Sequence, residues 1–220
     1  MVREDNFYYL FFALLLLLFV TPVITDLGLF PPAVVQTLGF SMVLAIGVWS
    51  LKGCRRMFSI GMFLAVTGII VSIAASAVDS AAYGVASMSV FIAFLAVSIV
   101  EALRKVALSR EVSSNRLVGA VCVYLMLGSL WAVAYSMLYL LSPESFRLPE
   151  ATSDAFSMAH WNYYSFVTLT TLGYGEIVPV SATARTLAFA EAVFGQLYIA
   201  ILVAGLVGAY ISARQSSDQA

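Results

Sequence analysis

The sequence predicts an all-α membrane protein: six transmembrane helices and, between the fifth and sixth, a shorter helix that enters the membrane and returns as extended chain. Two observations carry this. Of 220 residues, 62% are hydrophobic and only 10% charged, against about 25% charged in a soluble domain. Six apolar stretches, about 7–25, 33–51, 57–77, 81–103, 117–141 and 186–212, reach the roughly 20 residues that a helix needs to cross a bilayer. A seventh, Ala155 to Gly175, offers only about 15 helical residues and falls short of a crossing. The net charge of −1 and the lack of a Lys/Arg-rich run set nucleic-acid binding aside.

The first stretch follows "MVREDN", which is not positively charged, and no small-residue cleavage site precedes Asp26, so it reads as a helix and not as a signal peptide. Arg3, Lys52, Arg55, Arg56, Arg104, Lys105, Arg110, Arg116 and Arg214 fall on one side of the predicted membrane, Arg147 and Arg185 on the other. This bias predicts a multi-pass protein of the plasma (inner) membrane with both termini cytoplasmic. The chain divides into residues 1–116, four helices and a linker, and residues 117–220, two helices around the re-entrant segment. The linker "EALRKVALSREVSSNR" fits either an interfacial helix or a plain basic loop.

Cys54 lies in a short basic loop and Cys122 inside an apolar span, positions that suit packing and not a disulfide. His160 has no second ligand at metal spacing, so no transition-metal site and no cofactor are expected. Glu191 is the one ionisable residue committed to membrane depth, where such residues are functional candidates; a hydrogen bond to a neighbouring element is the favoured reading.

In the seventh stretch Ser153 and Asp154 supply N-cap candidates and Gly173 an end signal. Extended backbone at membrane depth is tolerated only where protein covers it or water reaches it, because unpaired carbonyls in hydrocarbon cost several kcal/mol each. A single copy hardly buries such a loop. Several copies around an axis do.

The residues "TTLGYGE", Thr170 to Glu176, resemble the selectivity-filter signature of potassium channels. The likeness extends over roughly residues 117–212 and implies a homotetramer, because that family's carbonyl rings need four copies. It implies that Thr171, Leu172, Gly173, Tyr174 and Gly175 bind dehydrated K+ through backbone carbonyls, with Thr170, Glu176, Tyr164 and Val167 as support. Glycine at alternate positions permits the conformations that let successive carbonyls face inward. The short helix then aims the negative end of its dipole at the membrane centre. The family's spacing puts Gly195 where a gating hinge is common, with close helix packing as the alternative. It also puts Gln196, Ile199, Ala200, Val203, Ala204 and Val207 along the inner cavity.

The departures from that pattern are Leu172 in place of valine or isoleucine, Glu176 in place of aspartate, tyrosines at 163 and 164 where tryptophans are frequent, and Val167 where some members carry a glutamate. They bear on filter stability and inactivation more than on ion choice. In the stretch 142–185, Glu144, Glu150, Asp154 and Glu176 against Arg147 and Arg185 leave a net −2, a vestibule that concentrates cations.

In six-helix members of such families the first four helices often carry a voltage sensor. Here "AAYGVASMSVFIAFLAVSIVEAL" has no Lys or Arg and the second and third spans lack acidic partners, so conventional voltage gating is not expected. The eight or so residues after the last span predict no fused ligand-binding domain. The expected partners are three further copies, membrane lipid and K+. A nonselective cation channel, a secondary transporter using the broken segment and a nonconducting regulatory subunit remain alternatives; no nucleophile–base pair suggests an enzyme.

Overall fold

The computed structural model describes residues 7–28, 55–77, 81–108, 113–149, 157–205 and 207–208. Its helices are α1 (Phe7–Leu15), α2 (Thr21–Asp26), α3 (Arg55–Ala77), α4 (Ala81–Leu108), α5 (Ser114–Leu141), α6 (Met158–Leu169) and α7 (Ala182–Leu197). Among the described residues, Phe7–Thr25, Ala82–Val106 and Ser114–Leu141 are long and apolar enough to cross a membrane. The expected second span, 33–51, lies outside the described residues; the third falls within α3 and the last runs through α7 and beyond it.

Helices α1 and α2 are one rod joined by a widened π turn, Leu16–Val20, just before Pro22. Proline lacks an N–H and its ring presses on the carbonyl four residues back, and an i→i+5 turn relieves that. The rod buries Phe7, Leu10, Leu14 and Leu17 against Ile99, Ala102 and Val106 of α4 and against Ala120, Val123 and Met126 of α5. The Phe7 N–H also donates to Asn115 Oδ1 at 2.9 Å, and a Cβ on Gly119 would stand 2.9 Å from the Phe7 ring. One apolar core thus runs across position 116.

The stretch read as either an interfacial helix or a plain basic loop is shared between two long helices, with residues 109–112 outside the described residues. Its first half, Glu101–Leu108, continues α4, and Ser114–Arg116 open α5. Leucine, alanine and lysine propagate α4 without a break signal, while Ser113, in extended conformation, marks the start of α5.

At the other end of α5 the chain makes a 3₁₀ turn, Pro143–Ser145, and a strand β1 (Phe146–Arg147), which pairs antiparallel with β2 (Val178–Pro179). The Val180 N–H adds a bond to the Ser145 carbonyl at 2.8 Å. This ribbon joins the segment leaving α5 to the one entering α7, and so pins both ends of the intervening loop.

Helix α6 begins at Ser157, whose hydroxyl accepts the Ala159 N–H at 3.3 Å. The cap is therefore Ser157; Ser153 and Asp154 lie outside the described residues. At 12 residues and about 1.5 Å per residue, α6 is some 18 Å long, roughly half a bilayer core. It buries Met158, Trp161, Tyr164, Ser165 and Leu169. Trp161 and Tyr164 sit in a ring cluster with Tyr135, Tyr139 and Phe146, the Tyr135 and Tyr164 centroids 4.9 Å apart and edge to face. Helix α7 is capped by Ser181, which accepts the Ala184 N–H at 3.2 Å.

Candidate functional site

The chain reverses directly after α6. The Thr170 N–H still bonds to the Phe166 carbonyl at 3.0 Å and that of Thr171 to Thr168 at 2.9 Å. The next two amides, Leu172 and Gly173, both turn back to the Val167 carbonyl, at 2.9 and 3.2 Å. Such backward bonds are how a helix end satisfies its orphan carbonyls. They also aim the donors of the loop at the helix.

Positive φ angles occur at alternate residues: Thr171 at 59°, Gly173 at 63° and Gly175 at 82°. A backbone that alternates in hand rotates successive peptide planes so that their carbonyls can share one side. Glycine adopts such angles freely. Threonine does not, and a β-branched residue there carries strain of order 1–3 kcal/mol; composition gives no sign of this. Among the described residues no hydrogen bond reaches the main-chain oxygens of Thr171 through Gly175. Residues 170–176 are all exposed in the single chain.

The supporting residues are brought together in part. The Tyr174 ring stacks on Tyr163 of α6, centroids 6.5 Å apart and 8° from parallel. Tyr163 in turn donates its hydroxyl to Glu176 Oε2 at 2.7 Å. That bond pushes the Tyr163 phenol up to about 12, so it remains a donor across the physiological range. Glu176 thus finds its partner one turn earlier on α6 than Val167. Val167 lends the loop its carbonyl, and its side chain lines an apolar groove of about 320 Å³ between α6, the loop and Ala188 and Ala192 of α7. Tyr164 is buried beneath the loop, whereas the Thr170 hydroxyl turns back to the Phe166 carbonyl at 2.6 Å. Leu172 stays 55% exposed and does not back the loop within one chain.

On α7, Gln196 reaches the loop: its Nε2 donates to Thr171 Oγ1 at 3.3 Å. Gly195 lies where α7 crosses the end of α6, and a Cβ there would stand 2.3 Å from the Leu169 carbonyl oxygen. Close approach alone therefore demands a glycine. Beyond it a π turn, Tyr198–Val203, interrupts the α-helix. A widened turn holds one extra residue and rotates the remainder of the helix by about 100°. That turn falls inside the stretch from Gln196 to Val207 that is expected to line an inner cavity. Gln196, Ile199, Ala200, Ala204 and Val207 are exposed, while Val203 is half-buried.

Glu191 is fully buried at the junction of three helices. Tyr135 of α5 donates its hydroxyl to Glu191 Oε2 at 2.6 Å. Ser165 of α6 lies 2.5 Å from Glu191 Oε1 and 2.7 Å from the Gly128 carbonyl of α5. The expected hydrogen bond to a neighbouring element is present, in duplicate. Its partners Tyr135 and Ser165, and Gly128 bonded to Ser165 behind them, carry no sequence signal. Gly128 is further required by the Phe166 ring, 2.6 Å from where its Cβ would be.

Residues 121–212, from the first third of α5 through the loop and α7, match the model of a family described as an ion channel. No curated protein and no solved structure matches the chain. The family match supports an ion channel in a membrane, and with it a protein that is not an enzyme.

Proposed function

We propose that four copies of this chain form a potassium-selective channel, with Thr171 to Gly175 of each copy contributing one quarter of the filter. The observation that carries this reading is the polarity of the loop. The amides of Leu172 and Gly173 turn back to Val167, the hand alternates at 171, 173 and 175, and among the described residues the carbonyls of Thr171 through Gly175 are unclaimed, on residues that are exposed. Unclaimed carbonyls at membrane depth are stable only if they line water or hold a cation, and rings of backbone oxygens replace the hydration shell of K+ without a fixed charge to trap it.

The short helix α6 ends at this loop, so its C-terminal partial charge favours a cation there and opposes an anion. Tyr174, Tyr163 and Glu176 brace the outer end of the filter, and Gln196 braces Thr171 at the inner end. Fourfold repetition also covers what one chain leaves open, the exposed Leu172 and the apolar residues Phe189, Val193, Phe194, Leu197 and Ile201 of α7 and its continuation. With a net −2 per chain in the stretch 142–185, four copies place −8 around the outer mouth, which raises cation entry. Helix α4 carries no basic residue before Arg104, so opening does not draw on charge moved by that helix through the membrane field. Both termini face the cytoplasm by the distribution of Lys and Arg.

The test is flux through purified protein in liposomes, with K+ and Na+ gradients applied separately. K+ flux without Na+ flux is expected. Equal fluxes would remove the selectivity, uphill flux coupled to a second ion would make the protein a transporter, and a conducting monomer or dimer in a mass measurement would remove the tetramer.

A further inference from the structure

We infer that Glu191 is held as a neutral, protonated acid that donates to Ser165, making it a positioning residue that fastens the filter-bearing helix α6 to α5 and α7. Ser165 Oγ lies 2.7 Å from the Gly128 carbonyl and 2.5 Å from Glu191 Oε1. A peptide carbonyl has no proton to give and a serine has one. Two oxygens at such distances with no hydrogen between them repel, so the two contacts need two protons.

If Ser165 donates to Gly128, the second proton sits on Glu191 Oε1. Tyr135, bonded only to Glu191 Oε2 among the described residues, gives its own proton there. Three donors then meet three acceptors and nothing is left over: Glu191 to Ser165, Ser165 to Gly128, and Tyr135 to Glu191. An ionised Glu191 would leave the Ser165–Gly128 contact bare. It would also place a fully buried charge with no Lys, Arg or His paired to it among the described residues, a far costlier state than a neutral acid. The titratable groups that face it from α5 and α6, Tyr124, Tyr135 and Tyr164, are all phenols and supply no counter-charge.

The consequence is mechanical. Ser165 lies on α6 two turns before Thr171, and the chain of three bonds is the polar link between α6 and both long helices at that level. A neutral network also survives in a low dielectric without drawing water or ions into the wall behind the filter.

The assignment rests on side-chain geometry; only its bearing on conduction rests on the channel reading. Infrared difference spectra of the full chain in lipid, wild type minus Glu191→Gln at neutral pH, test it. The expected signal is the C=O stretch of a protonated carboxylic acid, shifted in D2O. The paired bands of a carboxylate in its place would overturn the assignment. Glutamine keeps the pattern, with its amide N–H donating to Ser165 and its oxygen accepting from Tyr135, so Glu191→Gln is expected to conduct within about twofold of wild type, while Glu191→Leu and Ser165→Ala lose about tenfold or more. Equal loss in Glu191→Gln and Glu191→Leu would overturn the positioning role. A wild type with the acid band but no flux would count against the channel reading and support the proton assignment.

Discussion

Replacing Gly195 by alanine separates two reasons for a glycine at that point of α7. The added Cβ would lie 2.3 Å from the Leu169 carbonyl oxygen, 3.2 Å from its carbon and 2.9 Å from Leu169 Cδ1. The first two are backbone atoms at the end of α6, so no rotamer change removes the clash and one helix must move by about 1 Å. Overpacking of this kind costs roughly 1–3 kcal/mol, and contact with backbone argues for the upper end. Against it stands a gain of about 1 kcal/mol from replacing a mid-helix glycine. The net is a loss of about 2 kcal/mol, or a fall in melting temperature of roughly 4–8 °C for a chain of this size. Thermal unfolding of the purified protein in detergent, followed by tryptophan fluorescence, measures it. Gly68→Ala in α3 is the control: its nearest neighbour is Val90 Cγ1 at 3.4 Å, an ordinary contact, so the propensity gain prevails and the melting temperature holds or rises. If Gly195→Ala melts at or above the wild type and alters only opening, the close-approach argument is wrong and bending alone explains the glycine.

Gly128→Ala drives a Cβ into the Phe166 ring at 2.6 Å and should cost about 1–3 kcal/mol; adding Phe166→Leu should recover most of this in a double-mutant cycle, and additive losses would refute the contact. Tyr163→Phe removes the donor to Glu176, leaves the stack on Tyr174 and should shorten K+ flux under a sustained gradient with little change in melting temperature, as fits an exposed bond. Because the Tyr163 phenol is raised above its ordinary value, the bond's contribution is complete below pH ~10 and lost as pH climbs toward 12; a wild type that reproduces the Tyr163→Phe flux at pH 8 would contradict this. Cys122, fully buried in the core shared by α1, α4 and α5, should resist maleimide in a Cys54→Ser background until the protein is denatured, and rapid native labelling would show that core to be open.

The parts of this molecule that are legible in sequence are those where backbone need and residue type coincide. Gly173 and Gly175 announce positive φ, the shortness of the run 155–175 announces a helix that does not cross, and Glu191 stands out because charge is rare in lipid. Thr171 takes the same left-handed conformation as the glycines without the residue type that signals it, since the rule there is imposed by the alternation on either side. The stripe from Gln196 to Val207 is spaced for a regular α-helix, and nothing in "YIAILV" advertises the widened turn at Tyr198–Val203. Cap choice fails for a related reason. Ser153, Asp154 and Ser157 are interchangeable as residue types, and tertiary packing of Met158 and Trp161 against the α5 core decides where α6 begins.

The least legible feature is also the one that ties the loop to its frame. Tyr135, Ser165 and Gly128 are 26 to 63 positions from Glu191 in sequence and common in apolar helices, so no local pattern marks them. They become a unit only when three helices cross at one level. There a single carboxyl offers both a donor and an acceptor, which neither an ionised acid nor an apolar side chain of similar size can do. That dual capacity explains how an acid can be fully buried with no counter-charge paired to it among the described residues. In the proposed channel it also gives the residues behind Thr171 to Gly175 a role separate from ion contact: that loop would present oxygens, and their position would depend on a proton three helices share.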